Sequence, residues 1–263
     1  MKKSLVLNSV VDQIKYPLSD KSFISKCRHL IDKNGCVVLP GFLTKNAIGR
    51  LIEESNKNKH KAFYCKQEHS VYISPADKNF HADHPRNRLV VSTKGCITDD
   101  QISEDSCLKV LYKAQVFRDF LAEALGERCL YAYADSLSSV NIHYASETQE
   151  LGWHFDGSSF AVTLLIQEPK GGGEFQYVRS FRNLDQGEMN FDGVNRLLEG
   201  RVEYRSLAMS AGTLVLFKGR NSIHRVTPVE GDVTRILAVL AYNSEPNISL
   251  SETSRMTFYG RLD

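Results

Sequence analysis

Several features that would identify a chain at a glance are scarce or missing here. The six cysteines, at 27, 36, 65, 96, 107 and 129, include no Cys-x-x-Cys pair, and none lies beyond residue 129. That scatter fits reduced thiols in a cytoplasmic protein better than a disulfide framework. No block of lysine and arginine stands out, and a formal net charge of +2 is too mild to argue for a nucleic-acid partner. No apolar run is long enough to cross a membrane. The N-terminal Met1-Lys2-Lys3-Ser4-Leu5-Val6-Leu7 starts basic but turns polar at Asn8 and Asp12, without the apolar core of a signal peptide. Repeats, low-complexity tracts and linkers are lacking too, so residues 1–263 are expected to form a single domain. What the chain does have is 42% hydrophobic and 24% charged residues, enough for a packed core without staples.

The N-terminal half reads as helical support. Phe23, Cys27, Leu30 and Ile31 recur at helical spacing before an Asn34-Gly35 stop, and Cys36-Val37-Val38-Leu39 is a short buried strand closed by Pro40-Gly41. Thr44 can cap a helix with an apolar face of Ala47, Ile48, Leu51 and Ile52. Residues 60–105 keep no period; His81, Asp83, His84, Arg86 and Arg88 crowd around Pro85, which favours an ordered loop. Helical spacing returns over Leu108–Leu125 and ends at Gly126.

From Tyr131 the period becomes strand-like. Val140–Tyr144 alternates, Phe160–Ile166 is nearly all apolar, and Lys170-Gly171-Gly172-Gly173-Glu174 is a hairpin signal with Phe175–Val178 as its returning strand. After a surface excursion over 179–198 with one short helix come Val202–Leu207, Gly212–Phe217, a segment around His224, and Thr234–Tyr242. The fold class is therefore mainly β with flanking helices and a jelly-roll core, residues 1–130 supplying support and a lid and 131–263 the core.

Within that core, Gly152-Trp153-His154-Phe155-Asp156-Gly157 places His154 and Asp156 two apart, on one face of a strand. His224 can supply a third ligand, and two histidines with one carboxylate leave three open positions on an octahedral ion, the arrangement of non-haem Fe(II) oxygenases. Arg235 stands in an otherwise apolar strand, where an unpaired guanidinium would cost several kcal/mol, on the order of a buried charge, unless an anion meets it. The Val229-Glu230-Gly231-Asp232 turn is expected to double the chain back beside His224 and bring Arg235 near the metal.

Residues 138–245 resemble the double-stranded β-helix, a cupin-like jelly roll, of the Fe(II)- and 2-oxoglutarate-dependent oxygenases. The resemblance implies iron at His154, Asp156 and His224, 2-oxoglutarate held through Arg235 and Tyr144, and O2 as the oxidant. The segment His224–Val229 with Gly231 and Arg235, and the stretch Cys36–Thr44, carry it. Leu151–Asp156, Gly172-Gly173-Glu174-Phe175 and Phe258-Tyr259-Gly260-Arg261 are similar to the subgroup that halogenates or hydroxylates free amino acids such as lysine. Halogenases of that group have Gly or Ala at the position of Asp156, chloride taking the vacated site, so the carboxylate here implies hydroxylation with release of succinate and CO2. An amino-acid substrate would meet some of Arg86, Arg88, Asn141, His143, Trp153 and Asn243. Two further readings stand beside this one: a peptidyl hydroxylase of the same superfamily, and a metal-binding jelly roll without turnover. Neither nucleic acid nor membrane is expected as a partner, and oligomeric state is not readable.

Overall fold

Short-range signals place the elements of the N-terminal half. In the computed structural model, which describes residues 6–263, α1 (Leu7–Val10) and α2 (Lys21–Asn34) lead into β1 (Cys36–Leu39) and α3 (Lys45–Asn58). The basic start, Met1–Leu5, lies outside the described residues. The Asp20 carboxylate accepts from the Phe23 N–H and the Thr44 hydroxyl from the Ala47 N–H, two helix caps of the kind worth about 1 kcal/mol each. Gly35, at φ +78°, ends α2 in the left-handed conformation that a side chain disfavours.

Residues 60–105 differ from expectation. They hold a long antiparallel hairpin, β2 (Phe63–Ser70) and β3 (Leu89–Ile97), with only the connection over 71–88, including Pro85, in turns and loops. β2 alternates between exposed and half-buried positions, so it never shows the apolar period that reveals a strand. The expected helix over 108–125 is two, α4 (Cys107–Lys113) and α5 (Gln115–Leu125), broken at the extended Ala114. One apolar period spans the break because both helices pack into the same core.

The remaining elements are β4 (Tyr131–Ala132), β5 (Val140–Ala145), β6 (Leu151–His154), β7 (Ala161–Gln167), β8 (Gly171–Gly172) and β9 (Phe175–Val178). After them come α6 (Phe191–Leu198), β10 (Arg205–Leu207), β11 (Leu214–Phe217), β12 (Ile223–Val226), β13 (Val229–Glu230), β14 (Arg235–Leu240), β15 (Tyr242–Asn243) and α7 (Glu252–Tyr259). Eleven strands form one sheet in the order β1-β11-β7-β14-β5-β3-β6-β12-β9-β10, with β2 on β3. β3 joins its two halves, pairing with β5 through Gly95–Ile97 and with β6 through the single register pair Ser92–Leu151. The sheet curls into a nearly closed, jelly-roll barrel with helices outside it.

The outer face of the larger half packs Ile142, Tyr144, Leu164, Leu216 and Ala238 against Leu51, Leu108, Phe117 and Phe120 of the helices. Each leucine, isoleucine and phenylalanine among them contributes about 1.5–3 kcal/mol by burial, so this layer holds the barrel wall in place while its inner face stays open for chemistry.

Three expectations change. The Gly-rich segment 171–173 is no simple hairpin: β7 pairs with β11 and β14, whereas β9 pairs with β12 and β10, so the chain crosses between the two halves there. Period-2 alternation reveals a strand but not its partner. For the same reason β14 does not run beside His224; it lies between β5 and β7, and Arg235 faces His224 across the barrel interior. Residues 1–130 are also less purely helical than expected, since β1, β2 and β3 all join the sheet. No helix among the described residues is long and apolar enough to cross a membrane.

Candidate functional site

β6 and β12 are antiparallel neighbours, with His154 and His224 directly opposed. The Cα partners of such a pair lie close enough for both rings to face one point, and the two centroids are 4.2 Å apart. β6 ends at His154; beyond it the Phe155 N–H bonds to the Val71 carbonyl and the Asp156 N–H to the Gly219 carbonyl, which turns the Asp156 carboxylate toward the two rings. Its Oδ1 lies 3.9 Å from His154 Nε2 and 3.4 Å from His224 Nε2. A side chain at Gly219 would overlap that carboxylate, so the close approach needs a glycine.

Each imidazole is fixed from behind. His154 Nδ1 is 2.7 Å from the Gly152 carbonyl and His224 Nδ1 is 3.0 Å from the Ser222 carbonyl. A carbonyl only accepts, so each Nδ1 carries the proton and each Nε2 offers a lone pair to the centre. Burial, reinforced by the neighbouring His224, holds His154 down to about 3. Burial works in the opposite direction on Asp156, but the two imidazoles beside it, His224 above all, outweigh it and the carboxyl is held below its usual range.

These three are the only group of metal-capable side chains among the described residues with ligand atoms within 4.8 Å of one another. Asp156 Oδ2 is buried without a hydrogen-bond partner, an orphan that a cation would satisfy. Neutral imidazoles, an ionised carboxylate and an orphaned oxygen fit a divalent first-row ion, zinc included.

Two chambers meet at this centre. The inner one, about 250 Å³, lies inside the barrel and is lined by His143, Thr163, Phe175, Phe217 and Arg235. Arg235 is 5% exposed, its stem packed on Gly173, and burial alone lowers it to about 10; no ion pair binds it among the described residues. Lys94 and His143 stand 3.3 Å apart, Lys94 Nζ to Nε2, and each is lowered by burial, His143 further by the charges of Lys94 and Arg235. The inner chamber thus gathers positive groups with no anion of its own beyond Asp156.

The outer chamber, about 850 Å³, is walled by the β2–β3 hairpin, residues 72–74, Arg86, residues 182–189 and the C-terminal segment with α7. Lys94, Tyr133, Leu151, His154, Asp156 and Ser158 line both chambers. Of the sequence-predicted contacts, Arg86 and Asn243 face the outer chamber and His143 the inner one. Asn243 Nδ2 and Arg86 Nη1 are buried without partners.

Four candidates lie elsewhere. Tyr144 points to the helix layer, donating its hydroxyl to the Ser55 carbonyl at 2.8 Å, because it alternates with His143 on β5. Asn141 is spent on structure: its amide donates to the Leu137 and Val140 carbonyls, and its oxygen accepts from Tyr259. Trp153 faces away from His154, with the Arg225 guanidinium 4.7 Å over its ring. Arg88 lines neither chamber.

Lys94 and Arg182 were missed. Lys94 carried a usable signal, a lone cation within Leu89-Val90-Val91-Ser92-Thr93-Lys94, the same anomaly that exposes Arg235. Arg182, in the excursion after β9, carried none.

A family model described as Halogenase D matches residues 20–259. AviO1 from Streptomyces viridochromogenes is 13% identical over 86% of this chain and 97% of its own, with a TM-score of 0.57. The non-haem α-ketoglutarate-dependent epimerase SnoN from nogalamycin biosynthesis is 12% identical over 85% of this chain and 81% of its own, with a TM-score of 0.59. An oxidoreductase of the 2OG-Fe(II) oxygenase family from Burkholderia pseudomallei is 14% identical over 88% and 95%, with a TM-score of 0.53. At such identities the likeness is one of fold. No curated protein matches the chain. The family match reaches from the residue that caps α2 to the end of α7, across both chambers and the whole His-Asp-His centre, and on that match the chain belongs to the Halogenase D family.

Proposed function

We propose that the protein is a non-haem Fe(II)- and 2-oxoglutarate-dependent dioxygenase that hydroxylates an unactivated C–H bond of a free amino acid, within a single domain whose first 130 residues brace and cover the barrel. The observation that carries this reading is one barrel interior holding both a His-Asp-His centre and a buried arginine that pairs with no carboxylate. A metal site serving structure alone needs no such cation beside it, and an anion with a carboxylate at its far end suits both. His154, Asp156 and His224 would hold the ion, their ring orientation set by the Gly152 and Ser222 carbonyls. Arg235 would grip the distal carboxylate of 2-oxoglutarate, its fork suited to two parallel hydrogen bonds. Lys94 and His143, rather than Tyr144, are the neighbours available to that anion.

When bound, iron would activate O2, the oxidant, with 2-oxoglutarate giving up two electrons as it is decarboxylated; one oxygen atom would go into succinate, released with CO2, and the other into the C–H bond. The protein orients the substrate and keeps water out. The outer chamber, covered by the β2–β3 hairpin and α7, favours a small molecule over a polypeptide, and Arg86 and Asn243 offer it polar contacts. Asp156 supports hydroxylation over halogenation, because its carboxylate fills the coordination position that a halide would need.

The test is to supply purified protein with Fe(II), ascorbate, O2, 2-oxoglutarate and chloride, and to measure succinate and product mass across free amino acids. Fe(II)-dependent succinate formation with a product one oxygen heavier is expected. A chlorinated product would refute the hydroxylase assignment, and a protein that neither binds nor consumes 2-oxoglutarate would refute the reading altogether.

A further inference from the structure

The outer chamber carries more positive charge than the proposed role demands. Arg86, Arg182 and Lys94 face it, while the only acidic side chain on its wall, among the described residues, is the candidate ligand Asp156. Acidic residues near the barrel in sequence are engaged or placed elsewhere. Asp135 accepts from the N–H groups of Leu137, Ser138 and Leu250, Glu168 accepts from the Ala211 N–H, and neither Glu147 nor Glu150 lines the chamber.

Both arginines belong to the chamber wall. Arg182 is 8% exposed; its Nε donates to the Arg220 carbonyl at 2.8 Å and its guanidinium lies 4.0 Å over the Phe155 ring. The side chain lines the chamber and forms no ion pair with a carboxylate among the described residues. Arg86 keeps a buried Nη1 with no partner. Tyr72, whose hydroxyl donates to the Met189 carbonyl, lines the chamber together with both arginines, and the Arg182 guanidinium lies 5.9 Å over its ring. Buried forks without anions are costly to maintain unless an anion arrives to fill them.

Resting on the dioxygenase reading above, we propose that the outer chamber takes an anionic amino acid, with one anionic group on Arg86 and a second, carboxylate or phosphate, on Arg182. The same charges exclude a lysine-type side chain, for which the wall offers no counter-ion. A chamber of about 850 Å³ has room for an amino acid beside the centre.

The test is calorimetric titration of the full chain under nitrogen, with Fe(II) and 2-oxoglutarate saturating, using L-glutamate, L-2-aminoadipate, O-phospho-L-serine, L-lysine and L-leucine. At least one anionic amino acid is expected to bind ten or more times tighter than lysine and leucine, and the carboxylate and phosphate probes identify which second group is preferred. Arg182→Met, which retains an apolar stem over Phe155, should weaken that binding at least tenfold. Arg86→Gln, at a half-buried position, repeats the test should Arg182→Met fail to fold. Lysine or leucine binding as tightly as the best anion, binding of none of the anions, or unchanged affinity in both variants would overturn the proposal. Failure of the dioxygenase reading itself is seen separately, as absent 2-oxoglutarate binding before any amino acid is added.

Discussion

The inner and outer chambers share six wall residues but are made of different material. The inner chamber is cut from β5, β7, β11, β12 and β14, whose opposite faces on the larger half of the sheet are locked to the helices, so Arg235 and His143 have little freedom. The outer chamber draws Arg86 and Arg182 from connections between elements, and its regular walls are the β2–β3 hairpin, α7, β6 and Asn243 of β15. The difference teaches a division of labour. A chemical step common to many substrates belongs on rigid strands, while the part that must vary with the substrate belongs on loops, where a change disturbs no core.

That division can be broken most directly at the shared centre. His224→Ala removes a candidate ligand and should lower metal affinity by more than about 100-fold, beyond the range typical of outer-shell partners, as read by competition with a chromogenic chelator. Retained affinity would place the metal elsewhere. Next in size is Arg235→Met. Removing one partner of a buried charged contact costs about 2–5 kcal/mol, so 2-oxoglutarate should bind at least about 30-fold more weakly by titration. The same variant should melt higher than the parent when 2-oxoglutarate is absent, because it relieves a buried guanidinium without an ion-pair partner. A lower melting temperature would mean that Arg235 has a structural partner after all.

Gly219→Ala tests the junction from the backbone side. Its methyl group would push the Asp156 carboxylate aside, reducing metal affinity by about 10–100-fold while the melting temperature moves little. An unaltered affinity would show that Asp156 is not held there.

The inner chamber should also set a pH dependence in the metal-free protein. Burial, with Lys94 and Arg235, keeps His143 well below 6.5, so the unfolded chain binds a proton there that the folded chain refuses. Stability is then fully present above about 6.5 and falls as pH drops below it, by at most about 1.4 kcal/mol per pH unit from this group. His143→Gln should flatten that slope in denaturant titrations at several pH values; an unchanged slope would remove His143 as its source.

The smallest effect separates the two faces of one strand. Tyr144→Phe loses a buried hydrogen bond to Ser55 and should cost about 1 kcal/mol of stability with no change in 2-oxoglutarate affinity. A tenfold weaker affinity would return Tyr144 to the chamber.

By itself, the sequence determined what depends on local spacing and on chemical incongruity. The strands at β5, β7, β11 and β14 follow from alternation and apolar runs, the cap at Thr44 from side-chain hydrogen bonding, and Arg235 from a charge that its strand cannot house alone. The same logic would have found Lys94. Tertiary structure alone decided what depends on pairing and on facing. Alternation says that His143 and Tyr144 point opposite ways but not which one meets the cavity, and it says nothing of whether β14 lies beside β12 or across from it. Arg86 and Arg182 line the same chamber only because two connections, nearly a hundred residues apart in the chain, border it. Loop positions follow from how the barrel is closed, and no local period records that closure.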